Sequence, residues 1–456
     1  MERLDLPTLT AILGDLVESV PELPRDVAAT GLAVHTDHLR PGVAFVALAG
    51  ARSHGITYAD AALAAGAPFL LSDRPHPRAV LVRDAHEALA RLGRHARGAR
   101  RGAVVGVTGS VGKTTTKTLL GAALDAFTSP GNINTPAALA CVLVDAWLHQ
   151  EPDRPLVVEL GIDRDGEMAA LLALVAPSHG VLTAIAEAHL AGIGTLADVA
   201  REKGRLIDAA PAGRYVGTSA WPHLSDAQRA GATRVGLGDG VPGGTLVDGA
   251  ATGRTPRLHA VLRRHDGGEA RVGVDLPGPG APYAEAALLA LQVALDLDVD
   301  PNAAAARIAA AHPEPHRLHI HAVAALTLLD DAYNANPASV LAALEVLAGL
   351  PRPHAAVVGD MRELGARSAS AHAELGRALV DAGLSTVWFV GPESRAAFEA
   401  AHDLPERHHV ADTDALIGML ATLPERGSLL VKGSRSIGLE RLVAALLAGR
   451  QQQVSA

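Results

Sequence analysis

Cys141 is the only cysteine in a chain of 456 residues. No disulfide can form within the chain, and this fits a reducing, cytoplasmic setting. Aromatic residues make up 3% of the sequence, so the core has to be built mostly from Ala, Leu and Val. No apolar run is long enough to cross a membrane. The longest candidate, Ala286 to Leu297, is interrupted by Gln292 and Asp296, so no stable membrane insertion is expected. The start, Met1-Glu-Arg-Leu-Asp5, lacks the apolar stretch of a signal peptide. Positive charge is also in deficit. A net charge of −9 argues against a nucleic-acid partner, and any anionic ligand must be held by a local site. Repeats, low-complexity tracts and zinc-spaced Cys and His are missing, and the 21 histidines are scattered and expected to be mostly exposed.

What is present is organised around Ala103-Val-Val-Gly-Val-Thr-Gly-Ser-Val-Gly-Lys-Thr-Thr-Thr116. An apolar run, Ala103 to Val107, reads as a buried strand. It breaks at Gly109 and Gly112 and resumes as a helix from Lys113 to Ala126. Strand, glycine loop and helix together form a credible phosphate-binding loop. Amides freed by the glycines and the positive end of the helix suit a polyphosphate. Lys113 can neutralise the β and γ phosphates, and the Thr114 hydroxyl can ligate Mg2+. The general pattern places glycine where this chain has Val107, so the loop is a shorter variant starting at Gly109.

The length predicts two to four domains. Residues 1–100 read as a small N-terminal α/β unit, with strands at Ala44–Leu48 and Pro68–Leu71 and helices at Tyr58–Ala65 and Ala85–Arg97. The basic run Arg94 to Arg101 reads as a solvated helix end. Residues 101–312 alternate strands and helices, which predicts a central P-loop ATPase-like domain with a mostly parallel sheet. Leu156–Glu159 is a strand ending in a carboxylate. Gly180–Ile185 is another, followed by Glu187 and His189. Ligands of open parallel sheets sit at the carboxyl ends of strands, which puts Glu159 and His189 beside Gly109. A helix follows from Thr195, the expected N-cap, to Ala210. On composition its Arg201, Glu202, Lys203 and Arg205 read as a solvated face. Gly231 to Gly280 reads as a small β-rich insert, and Ala284–Leu295 and Pro301–Ala311 as helices. Pro313-Glu-Pro-His-Arg317 is a hinge. Residues 313–456 then form a C-terminal Rossmann-like α/β domain with polar strand ends at Asp330-Asp331, Asp360 and Lys432. The expected fold class is therefore α/β with three domains.

Several segments together resemble the Mur ligases, the ATP-dependent amide ligases of peptidoglycan precursor synthesis. They are Val107–Thr115, Gly131-Asn-Ile-Asn134, Glu159-Leu-Gly161, His189-Leu190, Glu202-Lys-Gly204, His316-Arg317, Asp330-Asp-Ala-Tyr-Asn-Ala-Asn-Pro337, Gly359-Asp-Met-Arg-Glu-Leu-Gly365 and Val431-Lys-Gly-Ser-Arg-Ser436. The last three resemble the branch of the family that adds D-alanyl-D-alanine to UDP-N-acetylmuramoyl-tripeptide. Thr36-Asp37, Leu39-Arg-Pro-Gly42, Phe45–Leu48 and Gly66-Ala67 resemble the family's UDP-sugar-binding domain.

The resemblance implies a role for each matching residue. Gly109, Ser110, Val111, Gly112, Lys113, Thr114 and Thr115 would hold the ATP phosphates. Thr114 and Glu159 would bind one Mg2+, and His189 would help hold a second. Lys203 would carry a carbamate formed from CO2. Arg317 would touch the γ phosphate, Asp331 the ribose and Asn334 the nucleotide. Thr36, Asp37, Ser53, His54 and Gly55 would lie near the uridine diphosphate. Asn132, Asn134 and Thr135 would line the substrate cleft, joined by Asp360, Glu363, Lys432, Ser434 and Arg435. A monomer is expected. The chain departs from the family pattern at His38, where arginine is usual, and at Ala191, where an acidic residue is common. Asp163-Arg164 replaces a polar pair, and Leu276-Pro-Gly-Pro-Gly-Ala-Pro-Tyr283 lacks the usual amide side chains near the adenine. Two other readings stay open: an amide ligase that adds a different amino acid, and a UDP-precursor-binding protein without turnover.

Overall fold

The computed structural model describes residues 4–24, 26–50, 53–131, 133–238, 243–247, 256–264 and 267–454. Asn132, expected in the substrate cleft, lies outside them. Among the described residues the chain forms sheets of five, nine and six strands in sequence order, plus one two-stranded pairing.

The N-terminal sheet runs in the order Val17–Ser19, Ala79–Val82, Leu70–Ser72, Val43–Ala47 and Gly31–Ala33. Its pairs are parallel except at Val17–Ser19. The loops holding Thr36 and Ser53 therefore leave the carboxyl ends of two adjacent parallel strands.

The central sheet places Val104–Thr108 between Leu156–Glu159 and His179–Leu182, all parallel. Every residue of these three strands is buried, because helices cover both faces. From Val104–Thr108 the chain goes to the edge strand Phe127–Thr128, returns to Leu156–Glu159 and then crosses to His179–Leu182 on the other side. This gives the topological switch point at which α/β sheets open a crevice. The phosphate-loop helix spans Lys113–Leu124 and stops at Asp125, whose left-handed backbone (φ 50) cannot continue it. Thr195 caps the helix Leu196–Ala209, with a reciprocal bond from Asp198. Of the four charged residues expected on a solvated face of that helix, Arg201 and Arg205 are exposed, but Glu202 and Lys203 are fully buried. The strands after Thr233 are not a separate insert either. Thr233–Leu237, Gly243–Val247, Arg257–Arg263 and Glu269–Asp275 continue the central sheet to its edge, because their backbone groups pair with it in register.

The helix Gly280–Asp296 starts earlier than its apolar run suggests and is buried along almost its whole length. Its Ala and Leu side chains join a core that runs from Val105 in the central sheet to Val346, Ala356 and Leu430 in the C-terminal unit. No helix of the described residues is long and apolar enough to cross a membrane. The C-terminal sheet runs His319–Val323, Ala325–Asp331, Arg426–Lys432, His354–Gly359, Thr386–Val390 and Glu406–Val410, parallel except for the first pair. The first strand went unread in the sequence because its alternation is carried by histidines. His54, His179, His354 and His372 are buried rather than exposed, each with a hydrogen-bond partner.

A second core joins the N-terminal unit to the helix Pro136–His149. Asp145 of this helix faces Gly31, whose missing side chain leaves room for the carboxylate: a Cβ there would lie 2.5 Å from Asp145 Oδ1. That oxygen is buried and has no hydrogen-bond partner. Burial pushes the Asp145 carboxyl up to about 6, against the opposing charges of Arg40 and His149. An unfolded aspartate titrates near about 3.9. Between those values the folded chain holds a proton that the unfolded chain has released, so stability falls as pH rises through the window and stays lowered above it. Asp145→Asn is therefore expected to be more stable than the parent at about pH 8, by on the order of 1–2 kcal/mol, with the difference vanishing near about pH 4. Denaturant midpoints at the two pH values check this.

Candidate active site

The phosphate loop owes its shape to the residues behind it. Ser110 N donates to the carbonyl of Ala184 at 2.8 Å, and the Ser110 hydroxyl donates to the carbonyl of Ala186 at 2.9 Å. Thr183 Oγ1 donates to the carbonyl of Val111 at 2.6 Å. These bonds pull the loop onto the end of the neighbouring strand so closely that only glycine fits at 109. A Cβ there would lie 1.9 Å from Thr183 Oγ1. Gly112 adopts φ 81 and opens the helix, leaving the first amides of the helix, including those of Lys113, Thr114 and Thr115, without backbone partners inside it. The Lys113 ammonium folds back to the Gly109 carbonyl at 2.9 Å.

Thr114 Oγ1 donates to Glu159 Oε2 at 2.7 Å. Both side chains are buried, so the hydroxyl and the carboxylate that could share a Mg2+ already meet. Lys203 is fully buried, and its Nζ has no hydrogen-bond partner. Burial holds its amine well below the ordinary lysine range. The nearby Lys113 charge adds to this, and Asp163 and Glu159 oppose it. Burial likewise lowers Lys113. An amine pressed below the ordinary lysine range beside a carboxylate and a phosphate loop, with no salt-bridge partner, is suited to act as a nucleophile.

His189 opens the short helix Leu190–Ile193 with φ 57. Its Nδ1 lies 2.5 Å from Glu363 Oε2 and 3.1 Å from Asp163 Oδ1. Among the described residues these three bring one ligand atom each within 4.8 Å of one another, an arrangement able to hold a divalent cation. Contact with His189 holds the Glu363 carboxyl below the usual carboxylate range. Glu363 also accepts a hydrogen bond from Ala191 N at 3.1 Å, and Arg367 pairs with Glu187 at 3.0 Å. The C-terminal unit thus grips the loop after the strand His179–Leu182. The small Ala191 permits that approach: a Cβ at Gly365 would already sit 3.4 Å from it.

An open cavity of about 190 Å³ lies between the two units, lined by Thr114, Gly131, Glu314, Pro315, His316, Arg317, Tyr333 and Arg435. The Arg317 guanidinium lies 3.9 Å from the centre of the Tyr333 ring, and Arg435 approaches the same ring at 5.7 Å. His316 and Leu318 take φ 61 and 51 in the hinge. Tyr283 OH donates to the Arg317 carbonyl at 3.0 Å, so the segment that departs from the family pattern braces the hinge. Asp331 and Lys432 end adjacent strands and pair with each other, and Lys432 also donates to the Asn334 carbonyl at 2.9 Å. Asn336 Nδ2 reaches the Ser110 carbonyl at 3.4 Å, tying this turn to the phosphate loop.

Four expected substrate contacts are buried: Lys432 and Ser434, and Asp360 and His54, which turn inward to brace their own turns. Asp360 is fully buried, accepts from Ser394 N at 2.8 Å and pairs with Arg362 at 3.0 Å. Its carboxylate holds the motif together from behind. His54 is likewise buried, bonding Asp73 at 2.7 Å and accepting from Ile56 N at 3.0 Å, because the turn Ser53–Gly55 folds against the strand Val43–Ala47. Thr36 is half-buried, and Asp37 and Ser53 are exposed beside the turn. Ser434 Oγ accepts from Arg362 N at 2.9 Å. Asn134 packs against Gly161, where a Cβ would meet its Nδ2 at 2.2 Å, and Thr135 caps the helix Pro136–His149 without a side-chain bond. Sequence reasoning missed Asp163 as a partner of His189, and it missed Lys117, Tyr283 and Arg367. Lys117, Asp163 and Arg367 each lie two residues past a quoted motif, and Tyr283 ends the departing segment Leu276–Tyr283.

Residues 107–230 match the Mur ligase middle domain, and residues 316–435 match the Mur ligase glutamate ligase domain. The UDP-N-acetylmuramoyl-tripeptide–D-alanyl-D-alanine ligase of Escherichia coli (strain K12) is 33% identical, covering 98% of this chain and 99% of its own. A crystal structure of MurF from Acinetobacter baumannii is similar with a TM-score of 0.83 at 26% identity, covering 98% of this chain and 99% of that one. The MurF ligase from Thermotoga maritima in complex with ADP has a TM-score of 0.77 at 26% identity, covering 93% and 98%.

Gly109→Ala is expected to push the loop off Thr183 and to weaken ADP binding by roughly tenfold or more. Calorimetric titration of the variant with ADP and Mg2+ checks this; unchanged affinity would mean that the loop tolerates the extra methyl.

Proposed function

We propose a residue-by-residue reaction course for a chain that belongs to the Mur ligase family. It is an ATP-dependent amide ligase that adds D-alanyl-D-alanine to UDP-N-acetylmuramoyl-tripeptide through an acyl phosphate, a step of peptidoglycan precursor synthesis. The observation that carries the reading of the site is the buried, unpartnered Lys203 Nζ beside Lys113 and Glu159 at the phosphate loop.

In this reading residues 1–100 bind the UDP-sugar, with Thr36, Asp37 and the Ser53 turn at the strand ends where the diphosphate docks. Residues 101–312 bind ATP, and residues 313–456 bring the dipeptide. Lys113 and the amides from Gly109 to Thr115 hold the phosphates. Thr114, Glu159, His189 and a carbamate on Lys203 hold Mg2+, and the unpaired Nζ fits that assignment. Its neutral amine adds to CO2 and releases one proton, giving the anionic oxygens that a hard cation prefers. Two bound ions supply charge neutralisation on the transferring phosphoryl group. Lys113 and Arg317 spread the charge that builds as the tripeptide carboxylate takes the γ-phosphoryl group and ADP leaves. The amine of D-alanyl-D-alanine then attacks the acyl carbon, and phosphate departs from the tetrahedral intermediate. No protein nucleophile is required, which agrees with Cys141 being buried in the helix Pro136–His149. Glu363, Ser434 and Arg435 line the dipeptide side, and Asp331 and Asn334 the nucleotide side. The contact between Glu363 and His189 excludes water from the acyl phosphate when the units are together. The protein acts as a cytoplasmic monomer.

Phosphate release from ATP tests the reading. With the UDP-tripeptide present, D-alanyl-D-alanine is expected to support turnover, and glutamate or single amino acids are not. Preference for a single amino acid would place the chain in another branch of the family. Tight UDP-tripeptide binding with no release would make it a binding protein. Lys203→Ala is expected to lose roughly 100-fold or more in kcat, with no recovery on added bicarbonate. Near-normal turnover of that variant would remove the carbamate from the scheme.

A further inference from the structure

Lys117 is not assigned to phosphate or metal in the proposed course, yet its side chain is buried, 1% exposed, one turn beyond Lys113 on the phosphate-loop helix. Its ammonium donates to the Ser129 carbonyl at 2.8 Å and to the Gly131 carbonyl. Among the described residues no carboxylate lies within ion-pair distance of it. Burial lowers its pKa, and the charges it feels beyond its carbonyl partners are Glu159, Glu314 and Arg317. Gly131, Glu314 and Arg317 all line the cavity between the units.

Burying an amine without a counter-ion is costly, and two carbonyls offset only part of that cost. An amide side chain could supply hydrogen bonds to the same carbonyls without that cost. A lysine here therefore needs a use beyond those bonds, and the cavity beside Gly131 is open to an anion. The backbone held by Lys117 is also anchored from the sheet side, by Ser129 N donating to Val157 O at 3.2 Å. It leads to Asn134, which is wedged against Gly161 just past Glu159. On the other side the helix lies close to the strand Phe127–Thr128, where a Cβ at Gly121 would meet Thr128 Cγ2 at 2.3 Å. Lys117 thus tethers the phosphate-loop helix to the carbonyls that precede Asn134.

We propose that Lys117 is a positioning residue for the acceptor substrate: it fixes Ser129 and Gly131 so that the cleft toward Asn134 is formed, and its buried charge favours the reacting carboxylate next to the phosphate loop. This rests on the ligase reading and on Asn134 lining the acceptor cleft. The ammonium is engaged by the Ser129 and Gly131 carbonyls and not by the phosphate loop, so its effect is expected on the acceptor rather than on ATP.

The test compares Lys117→Met and Lys117→Arg with the parent enzyme. Lys117→Met is expected to raise the KM for the UDP-tripeptide roughly tenfold or more while the KM for ATP stays within about twofold. Lys117→Arg, which keeps the charge and the donors, is expected to recover part of the loss. Affinity for the UDP-tripeptide, titrated with a non-hydrolysable ATP analogue present, is expected to fall in parallel. An unchanged acceptor KM in folded Lys117→Met, or equal rises for acceptor and ATP, would overturn the proposal. The same readings on Lys117→Gln decide the matter where Lys117→Met does not fold. The titration needs no turnover, so a parent enzyme that binds the UDP-tripeptide but releases no phosphate would sink the ligase reading and leave this one to be judged by the affinities.

Discussion

Lys203 is fully buried close to the half-buried Lys113, and the Lys113 charge disfavours a second charge on Lys203. A low-dielectric site cannot hold two ammonium groups side by side at neutral pH without either strong anions or the loss of a proton. Glu159 and Asp163 oppose the effect of burial on Lys203, and burial still dominates. Burial lowers Lys113 as well, and its ammonium folds onto the Gly109 carbonyl at the phosphate loop. The neighbours of the two lysines are arranged around that conflict.

The fold meets this demand by aiming strand ends at one place. Val104–Thr108, Leu156–Glu159 and His179–Leu182 are parallel neighbours, so the residues that follow them emerge on the same edge. Asp331, Lys432 and Gly359 end three adjacent parallel strands of the C-terminal sheet. The two edges meet at the contact of His189 with Glu363 and at the pair of Glu187 with Arg367. An acyl phosphate formed between them is enclosed by both sheets. That is a physical reason for the dipeptide-branch motif to sit on the second sheet, opposite the phosphate loop, and not beside it.

The phosphate loop was legible because its information is local: glycines, lysine and threonine within a few residues, bracketed by a strand and a helix. Strand-end carboxylates such as Glu159 and caps such as Thr195 were legible for the same reason. The burial of Lys203 was not. Its helix carries Arg201, Glu202 and Arg205 beside it, a composition that reads as solvated, and only packing against the sheet decides otherwise. The grouping of Asp163, His189 and Glu363 was hidden because the last of them comes from another sheet far along the chain. Asp360 and His54 matched family motifs as polar residues, but sequence pattern does not distinguish a carboxylate or imidazole that faces a ligand from one that braces the turn behind it. The continuation of the central sheet past Thr233 was misread because glycine-rich, alternating segments look alike in a loose insert and at a sheet edge.

The departure between Leu276 and Tyr283 falls where the chemistry can best absorb it. Contacts to the phosphates and to the reacting carboxylate change in strength as charge moves, so they act on the transition state. Contacts to the base are the same before and after transfer and contribute uniform binding. A chain can therefore replace amide donors near the base without touching the phosphoryl step, provided that the hinge next to them stays in place. Here Tyr283, from the replaced segment, donates to the Arg317 carbonyl, and Arg317 in turn lies over Tyr333 at the mouth of the cavity. The side chain that faces the γ phosphate in the proposed course is thereby fixed through its own backbone by the segment that no longer offers amides. The segment that lacks those amides thus supplies, through Tyr283, a hydrogen bond to the hinge backbone.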